Sequence, residues 1–213
     1  MRRILLTLAC LALLSPLGSF SPRSAQAHDV TGKPSFPTLT AKEEERLAKG
    51  KLVLRTERGS TDGSGLITGV IEINASIDEV WKLLLQFELV PQASKAVKKV
   101  TRYLDREGRG GSQNVGIRYQ VKVAWVEISY YIHHDIFSQQ NYLDWTLDPS
   151  KENDIAKTDG SYSLWPGGKP GSVRFVYITE VDTGRNIPDW IEEELTESSL
   201  KRFLVFVKKQ AES

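Results

Sequence analysis

The sequence predicts an α+β fold, in which a curved antiparallel sheet of about six to seven strands wraps around a long C-terminal helix with an apolar cavity between them. Residues 115–125 and 126–136 alternate between apolar and polar side chains, as strands with one buried and one solvated face do. Apolar residues from Pro188 to the C-terminus recur at helical spacing. One helix cannot fill the concave face of such a sheet, so we expect the remaining space to form the cavity.

The N-terminal segment has the features of a cleaved secretory signal. Arg2 and Arg3 precede an apolar run over residues 4–17, which is too short to span a bilayer comfortably. Ala25 and Ala27 then supply the small residues of a signal-peptidase site. We therefore expect residues 1–27 to be removed, the mature chain to begin at His28, and the protein to be periplasmic or secreted.

Composition and charge argue against several classes of function. A net charge of +1 with 40% hydrophobic and 26% charged residues is typical of a globular protein, and we expect no nucleic-acid partner. Removal of residues 1–27 leaves 25 basic and 27 acidic side chains and takes away Cys10, the only cysteine. The mature chain is then expected to form no disulfide, and we predict neither a metal site nor a cofactor.

The mature chain is predicted to divide at residue 65. Residues 28–64 form a leader that contains a short helix over residues 41–48, because Thr40 and Glu43 make a capping-box pattern. Residues 51–58 alternate weakly and suggest a strand. Residues 65–213 form the main domain.

The main domain begins with a strand around residues 67–73, and a helix follows that Ser76 and Glu79 would cap. A short helix or turn is predicted at residues 87–91. Further strands are predicted over residues 96–106, over the two alternating segments, and over residues 142–147, 158–165 and 172–182.

The C-terminal helix is predicted to bend or break over residues 196–199. Trp190, Ile191 and Leu195 form one apolar stripe, whereas the apolar residues between Leu200 and Val207 form a second stripe that is rotated away from the first. A straight helix cannot bury both stripes equally. The break is a candidate hinge for ligand uptake, and a straight helix with tightly packed serines is the alternative.

Four segments of the main domain, taken in order, resemble a known superfamily. They read TGVIEINASIDEVW at residues 68–81, FELVP at 87–91, GSYSLWP at 160–166, and VRFVYITEVD followed by IPDWI within 173–191. This series resembles the START-like or SRPBCC superfamily, which includes polyketide cyclase-like and coenzyme Q-binding-like proteins, although Gln86 replaces the usual aspartate. The resemblance implies a helix-grip fold and a ligand-binding domain over residues 65–213, but relatives include both lipid-transfer proteins and aromatase/cyclases.

The candidates for ligand binding are side chains on the predicted inner face and beneath the helix. His134 is the only strongly polar residue on the apolar face of its strand, and it either contacts a ligand or lies at the rim of the sheet. The tyrosines combine apolar area with a hydroxyl group, although each is equally compatible with core packing. The candidates are Tyr119, Trp125, Tyr130, His134, Trp145, Tyr177, Ser198, Ser199 and Phe203. We expect Trp81 and Trp190 in the core, and His133 on the opposite face from His134.

Three functions remain open from the sequence. The first is binding or transfer of a lipid or other hydrophobic small molecule, with transient contact to a membrane. The second is a cyclase or hydrolase that uses His134 with an inner tyrosine. The third is an interaction module whose interior is filled by Trp and Phe side chains. The sequence shows no nucleophile elbow, P-loop or dinucleotide-binding motif, so we predict no catalytic residue and favour binding.

Overall fold

The computed structural model describes residues 32–60, 64–184 and 189–213. The predicted signal segment, the expected mature N-terminus at His28 and the predicted helix start at Pro188 lie outside these ranges. Gly32–Ser213 forms one unit, to which the segment assigned to the leader also contributes a helix and a strand.

Eight strands form a single curved antiparallel sheet within the described residues. They are β1 (Val53–Arg58), β2 (Gly65–Ile73), β3 (Val97–Glu107), β4 (Gln113–Val123), β5 (Val126–Phe137), β6 (Tyr142–Leu147), β7 (Lys157–Pro166) and β8 (Val173–Asp182). Their order across the sheet is β1-β2-β8-β7-β6-β5-β4-β3. The sheet has one strand more than the upper predicted number, because β1 pairs with β2 along its whole length.

Five α-helices accompany the sheet in the described ranges. They are α1 (Ala41–Ala48), α2 (Ile77–Leu84), α3 (Val90–Ala93), α4 (Asp189–Glu193) and α5 (Ser199–Ala211). The predicted capping boxes are confirmed, since the side chains of Thr40 and Ser76 each accept from the backbone N–H three residues later. Within these ranges no helix is both long and apolar enough to cross a membrane.

The long C-terminal helix is interrupted where the sequence predicted a break. A π-helical segment, Glu194–Ser198, joins α4 to α5. A π turn takes an extra residue and shifts the helical phase, so Ile191 in α4 and Leu204 in α5 are both buried despite belonging to two different stripes. The expectation of a core position for Trp190 is wrong, because the side chain next to the buried Ile191 turns outward and is 52% exposed.

Helix α5 packs against the concave face of the sheet, next to β2. Gly69 permits this approach, because a Cβ atom there would lie only 2.4 Å from Cδ1 of Leu204. The main hydrophobic core lies on this face and includes side chains from α2 and from most of the strands. A separate small cluster joins α1 to the sheet through Leu47, Val53, Val70 and Val176.

Candidate functional site

A cavity of about 150 Å³ lies between the concave face of the sheet and the C-terminal helix. One wall consists of side chains from strands β3 to β8, and the other comes mainly from the π-helical segment and α5. Its polar lining residues are Ser94, Tyr119, Tyr130, His134, Thr158, Tyr162, Tyr177, Thr179, Thr183, Thr196 and Ser199. Among the described residues, no Asp, Glu, Lys or Arg lines it.

Four tyrosines line the sheet side of the cavity in two pairs. Tyr119 and Tyr130 are paired across β4 and β5 with their rings stacked at 5.4 Å, and Tyr162 and Tyr177 are paired across β7 and β8 with ring centroids 4.8 Å apart. Phe203 of α5 closes over the second pair, 5.7 Å from Tyr162 and 6.0 Å from Tyr177. Burial raises the pKa of all four hydroxyls, that of Tyr177 to about 12, so these groups stay protonated at neutral pH.

His134 contributes a neutral imidazole to the cavity. Its ring lies 4.6 Å from that of Phe87 and 6.2 Å from that of Trp145, and the side chain is only 3% exposed. Burial lowers the pKa of His134 to about 3. Nδ1 lies 3.3 Å from the carbonyl oxygen of Val115, which can only accept, so Nδ1 carries the hydrogen. Nε2 is therefore an acceptor, and it has no hydrogen-bond partner within the described part of the chain.

The other polar groups of the lining are already engaged within the protein. Nε1 of Trp145 donates to Oγ1 of Thr158 at 3.4 Å. Oγ of Ser199 donates to the carbonyl oxygen of Glu194 at 2.7 Å and lies 3.3 Å from Oγ of Ser94. The hydroxyl of Tyr177 is hydrogen-bonded to those of Tyr162 and Thr179. The groups best placed to meet a ligand are therefore the hydroxyls of Tyr119 and Tyr130 and Nε2 of His134.

Seven of the nine predicted candidates line this one cavity. They are Tyr119, Tyr130, His134, Trp145, Tyr177, Ser199 and Phe203. The strand register explains the result for β4 and β5, because Val115 pairs with His134 and Tyr119 with Tyr130, so that alternate residues share the inner face. Arg118 lies on the other face, where its guanidinium donates to Oγ of Ser129.

Trp125 is a correction to the sequence prediction. Val123 pairs with Val126, so Ala124 and Trp125 form a two-residue turn instead of continuing the strands. Ala124 has a φ of 50°, a left-handed value that such tight hairpin turns require. Trp125 thus leaves the sheet, does not line the cavity and is 70% exposed.

Ser198 is a second correction. It is the last residue of the π-helical segment, whereas Ser199 is the first residue of α5. Successive helical residues point about 100° apart, and only Ser199 reaches the cavity. The prediction that both serines lie at the cavity is therefore wrong for Ser198.

Tyr162, Thr158 and Thr179 also line the cavity, although the sequence pattern did not indicate them. In β7 the inner residues Thr158, Gly160 and Tyr162 alternate with polar outer ones, so the pattern does not reveal the buried face. Gly160 is the available signal. A Cβ there would lie 2.2 Å from Cζ2 of Trp145, so the missing side chain makes room for that indole.

A second cleft lies beside the π-helical segment. Thr56, Gly65, Ile67 and three glutamates of the helical region line it, and it shares Val181 and Thr196 with the cavity. Oγ1 of Thr196 donates to the carbonyl oxygen of Glu192, and Oγ1 of Thr56 donates to Glu197 at 3.2 Å. The π-helical segment therefore separates the cavity from this cleft.

His133 faces away from the cavity, as predicted. Its Nε2 lies 3.0 Å from Oδ2 of Asp148, which also accepts a hydrogen bond of 2.7 Å from the hydroxyl of Tyr103. Burial opposes ionisation of Asp148, but bonds from Ser150 and Tyr103 lower its pKa to about 2. In the described ranges no group of three or more His, Cys, Asp or Glu side chains is placed to hold a metal ion.

Comparison with protein families finds no matching family profile, and comparison with curated protein sequences finds no match. Solved structures do match. A STAR-related lipid transfer protein from Xanthomonas axonopodis has a TM-score of 0.60 at 14% identity, over 76% of this chain and 94% of that one. The Zhui aromatase/cyclase from Streptomyces sp. R1128 has a TM-score of 0.56 at 16% identity, over 70% of this chain and 94% of that one.

A START superfamily protein from Mycobacterium smegmatis has a TM-score of 0.54 at 17% identity, over 69% of this chain and 97% of that one. These similarities concern the backbone, because the sequence identities are low. They agree with the strand order and with the long helix on the concave face. The chain therefore has the START-like, helix-grip fold.

Proposed function

We propose that this protein binds an uncharged, mainly apolar small molecule in the cavity between the sheet and the C-terminal helix. The observation that carries the proposal is the lining itself, which among the described residues contains aromatic, aliphatic and hydroxyl side chains and no charged group. An ion that left water for such a site would lose its solvation without gaining a counter-charge. The cavity is thus selective for neutral ligands.

The titratable groups of the lining support binding over acid–base catalysis. A general base works best with a pKa near the operating pH. Burial lowers the pKa of His134 to about 3, so its imidazole is a weak base at neutral pH. Burial also keeps the inner tyrosines protonated, as hydrogen-bond donors. A ligand with one polar atom could therefore accept from a tyrosine or donate to Nε2 of His134.

The size of the cavity limits the ligand. An engineered cavity of about 150 Å³ accommodates a benzene molecule, so the space here suits a compact ring or one segment of a longer molecule. A complete lipid would need additional space, which displacement of the helix at the π-helical segment would provide. One of the structural neighbours is a STAR-related lipid transfer protein, which agrees with a hydrophobic ligand of this second kind.

The experiment compares two ligands of nearly equal shape, 1-naphthol and 1-naphthoate, by equilibrium dialysis at neutral pH. We expect 1-naphthol to bind at one site per chain and 1-naphthoate to bind about 100-fold more weakly, because only the second is charged. Val121→Trp should fill the cavity, which Val121 lines, and abolish 1-naphthol binding. Val205→Trp is the matched control, because Val205 is 49% exposed and lies outside the cavity.

Two results would contradict the proposal. One is equal affinity for the two ligands, which would mean that the neutral lining does not select. The other is unchanged 1-naphthol binding by Val121→Trp, which would place the bound molecule elsewhere.

We further propose that the protein acts outside the cytoplasm. Arg2, Arg3, the apolar run and the small residues before His28 support this location. N-terminal sequencing of protein recovered from the periplasm should give His28 as the first residue. Recovery of chains that begin at Met1 would overturn the assignment.

A further inference from the structure

Two tryptophans lie together on the surface of the described part of the chain. Trp125 at the tip of the β4–β5 hairpin is 70% exposed, and Trp190 in α4 is 52% exposed. Their ring centroids are 5.9 Å apart in an edge-to-face arrangement. The two side chains therefore contact each other and still present most of their apolar surface to solvent.

This tryptophan pair lies at one end of the cavity. The hairpin that carries Trp125 also provides Val121 and Ile128, which pair with each other near the tip and line the cavity. The helical region that carries Trp190 provides Leu195 and Thr196 to the opposite wall. A binding partner that contacts the tryptophan pair would thus lie at the end of the cavity, where the sheet and the helix come together.

Basic side chains flank the hairpin tip. The backbone N–H of Lys122 donates to the carbonyl oxygen of Ala96 at 2.8 Å, which brings the exposed Lys95 next to the hairpin. Lys98 is close by, because its Nζ donates to the carbonyl oxygen of Lys95. Lys122 is paired with Glu127, but Lys95 and Lys98 have no carboxylate partner in the described ranges.

Acidic groups also lie near the pair. Glu127 is engaged by Lys122, and Glu192 and Glu193 border the second cleft beside Thr56, on the β1 and β2 side of the helix. The β3 side of the hairpin is therefore the basic one.

We propose that Trp125 and Trp190 dock the protein on a lipid bilayer with anionic headgroups, with Lys95 and Lys98 facing those headgroups. The inference rests on the proposed function, since docking brings the end of the cavity to the source of a hydrophobic ligand. Tryptophan favours the boundary between headgroups and acyl chains, where its apolar ring and its N–H group are both accommodated. Lysines near an anionic surface add electrostatic attraction.

A bilayer fits this surface better than a protein partner does. The two indoles together expose roughly 300 Å² at most, whereas a stable protein interface needs about 800 Å² from each partner. Binding to a membrane interface combines buried apolar area with electrostatic attraction to anionic lipids, and the indoles and the lysines supply these two contributions.

The test measures co-sedimentation of the full mature chain with vesicles of equal parts phosphatidylcholine and phosphatidylglycerol. We expect the W125S/W190S double variant to bind about tenfold more weakly than the unaltered protein. Lys95→Glu with Lys98→Glu should weaken binding to these vesicles at low salt. Val205→Ser, which removes a third exposed apolar side chain, should bind as the unaltered protein does.

Binding of 1-naphthol without vesicles separates this inference from the proposed function. W125S/W190S should retain it, because neither tryptophan lines the cavity, and this result also shows that the variant is folded. Vesicle binding by W125S/W190S equal to that of the unaltered protein would overturn the docking role. So would a dimer of the unaltered protein that W125S/W190S dissociates, because the pair would then serve a second copy of the chain.

Discussion

His133 and His134 are neighbours in β5, yet the pleat of the strand places them in opposite environments. His134 lies inside the cavity between the rings of Phe87 and Trp145, and the only hydrogen bond of its imidazole within the described residues is to the backbone of Val115. His133 lies on the outer face, 3.0 Å from the carboxylate of Asp148. One face of the hairpin is neutral and apolar, and the other is ionic.

Tyr130 and Tyr103 show the same difference between the inner and the outer face of the sheet. Tyr130 faces the cavity, and its hydroxyl has no hydrogen-bond partner in the part of the chain that the structure describes. Tyr103 lies on the outer face and donates to Asp148 at 2.7 Å. The outer groups hold strands and loops together, whereas the hydroxyl of Tyr130 and Nε2 of His134 can still bond to a ligand. The residue type alone therefore does not indicate the role of a side chain. The face of the sheet on which it lies must also be known.

The largest expected effect is on the pH dependence of stability. His134 takes up a proton near pH 6.5 in the unfolded chain but only near pH 3 in the folded one. Between these values the unfolded state binds more protons, so the free energy of unfolding falls as the pH falls. Between pH 6.5 and 5 the contribution of His134 should be a loss of roughly 2 kcal/mol.

Urea denaturation at both pH values should show this loss in the unaltered protein and not in His134→Phe. His133→Phe is the matched control and should retain the loss that His134 causes. If the pH dependence of His134→Phe equalled that of the unaltered protein, the imidazole would not be buried and neutral.

The second expected effect concerns the tyrosine hydroxyls. Tyr103→Phe should lower the free energy of unfolding by about 1.5 kcal/mol, because it removes a hydrogen bond to a carboxylate. Tyr130→Phe should change it by less than about 0.5 kcal/mol, since no protein partner is lost. The 1-naphthol affinity should respond only to Tyr130→Phe. The prediction is wrong if Tyr130→Phe lowers the free energy of unfolding and Tyr103→Phe changes the 1-naphthol affinity.

The smallest expected effect separates Ser198 from Ser199. Ser199→Leu places a larger side chain in the cavity and removes the bond to the carbonyl oxygen of Glu194, so 1-naphthol uptake should slow by roughly threefold to tenfold. Ser198→Leu should leave uptake unchanged, because this side chain does not reach the cavity. Stopped-flow fluorescence measures both rates. Equal slowing by the two variants would favour a general role of the π-helical segment as a hinge over a local effect of Ser199.

Sequence patterns predicted the elements that have one apolar face. The register of β4 against β5 follows from their alternation, and the break before Ser199 follows from two apolar stripes that one straight helix cannot bury. The edge strand β1 was only suggested, because its alternation is weak and its pairing with β2 spans a loop.

The remaining errors have local physical causes. Trp125 was assigned to β4 because the apolar–polar alternation continues through it. The turn at Ala124 also lacks the glycine or asparagine that usually marks a left-handed φ, so the sequence did not indicate where β4 ends. Tyr162 was missed because small and polar residues occupy both faces of β7. Trp190 was misplaced because the extra residue of the π turn changes which helical face meets the sheet.

The alternation along β4 and β5 also bears on how such a protein can diversify. Residues 119 and 130 meet the cavity, whereas residues 118 and 129 are joined by a hydrogen bond on the opposite face. Single substitutions can therefore reshape the interior while the outer contacts that maintain the hairpin stay intact. A lineage, or a protein engineer, could exchange one neutral ligand for another by altering every second residue and leave the scaffold unchanged.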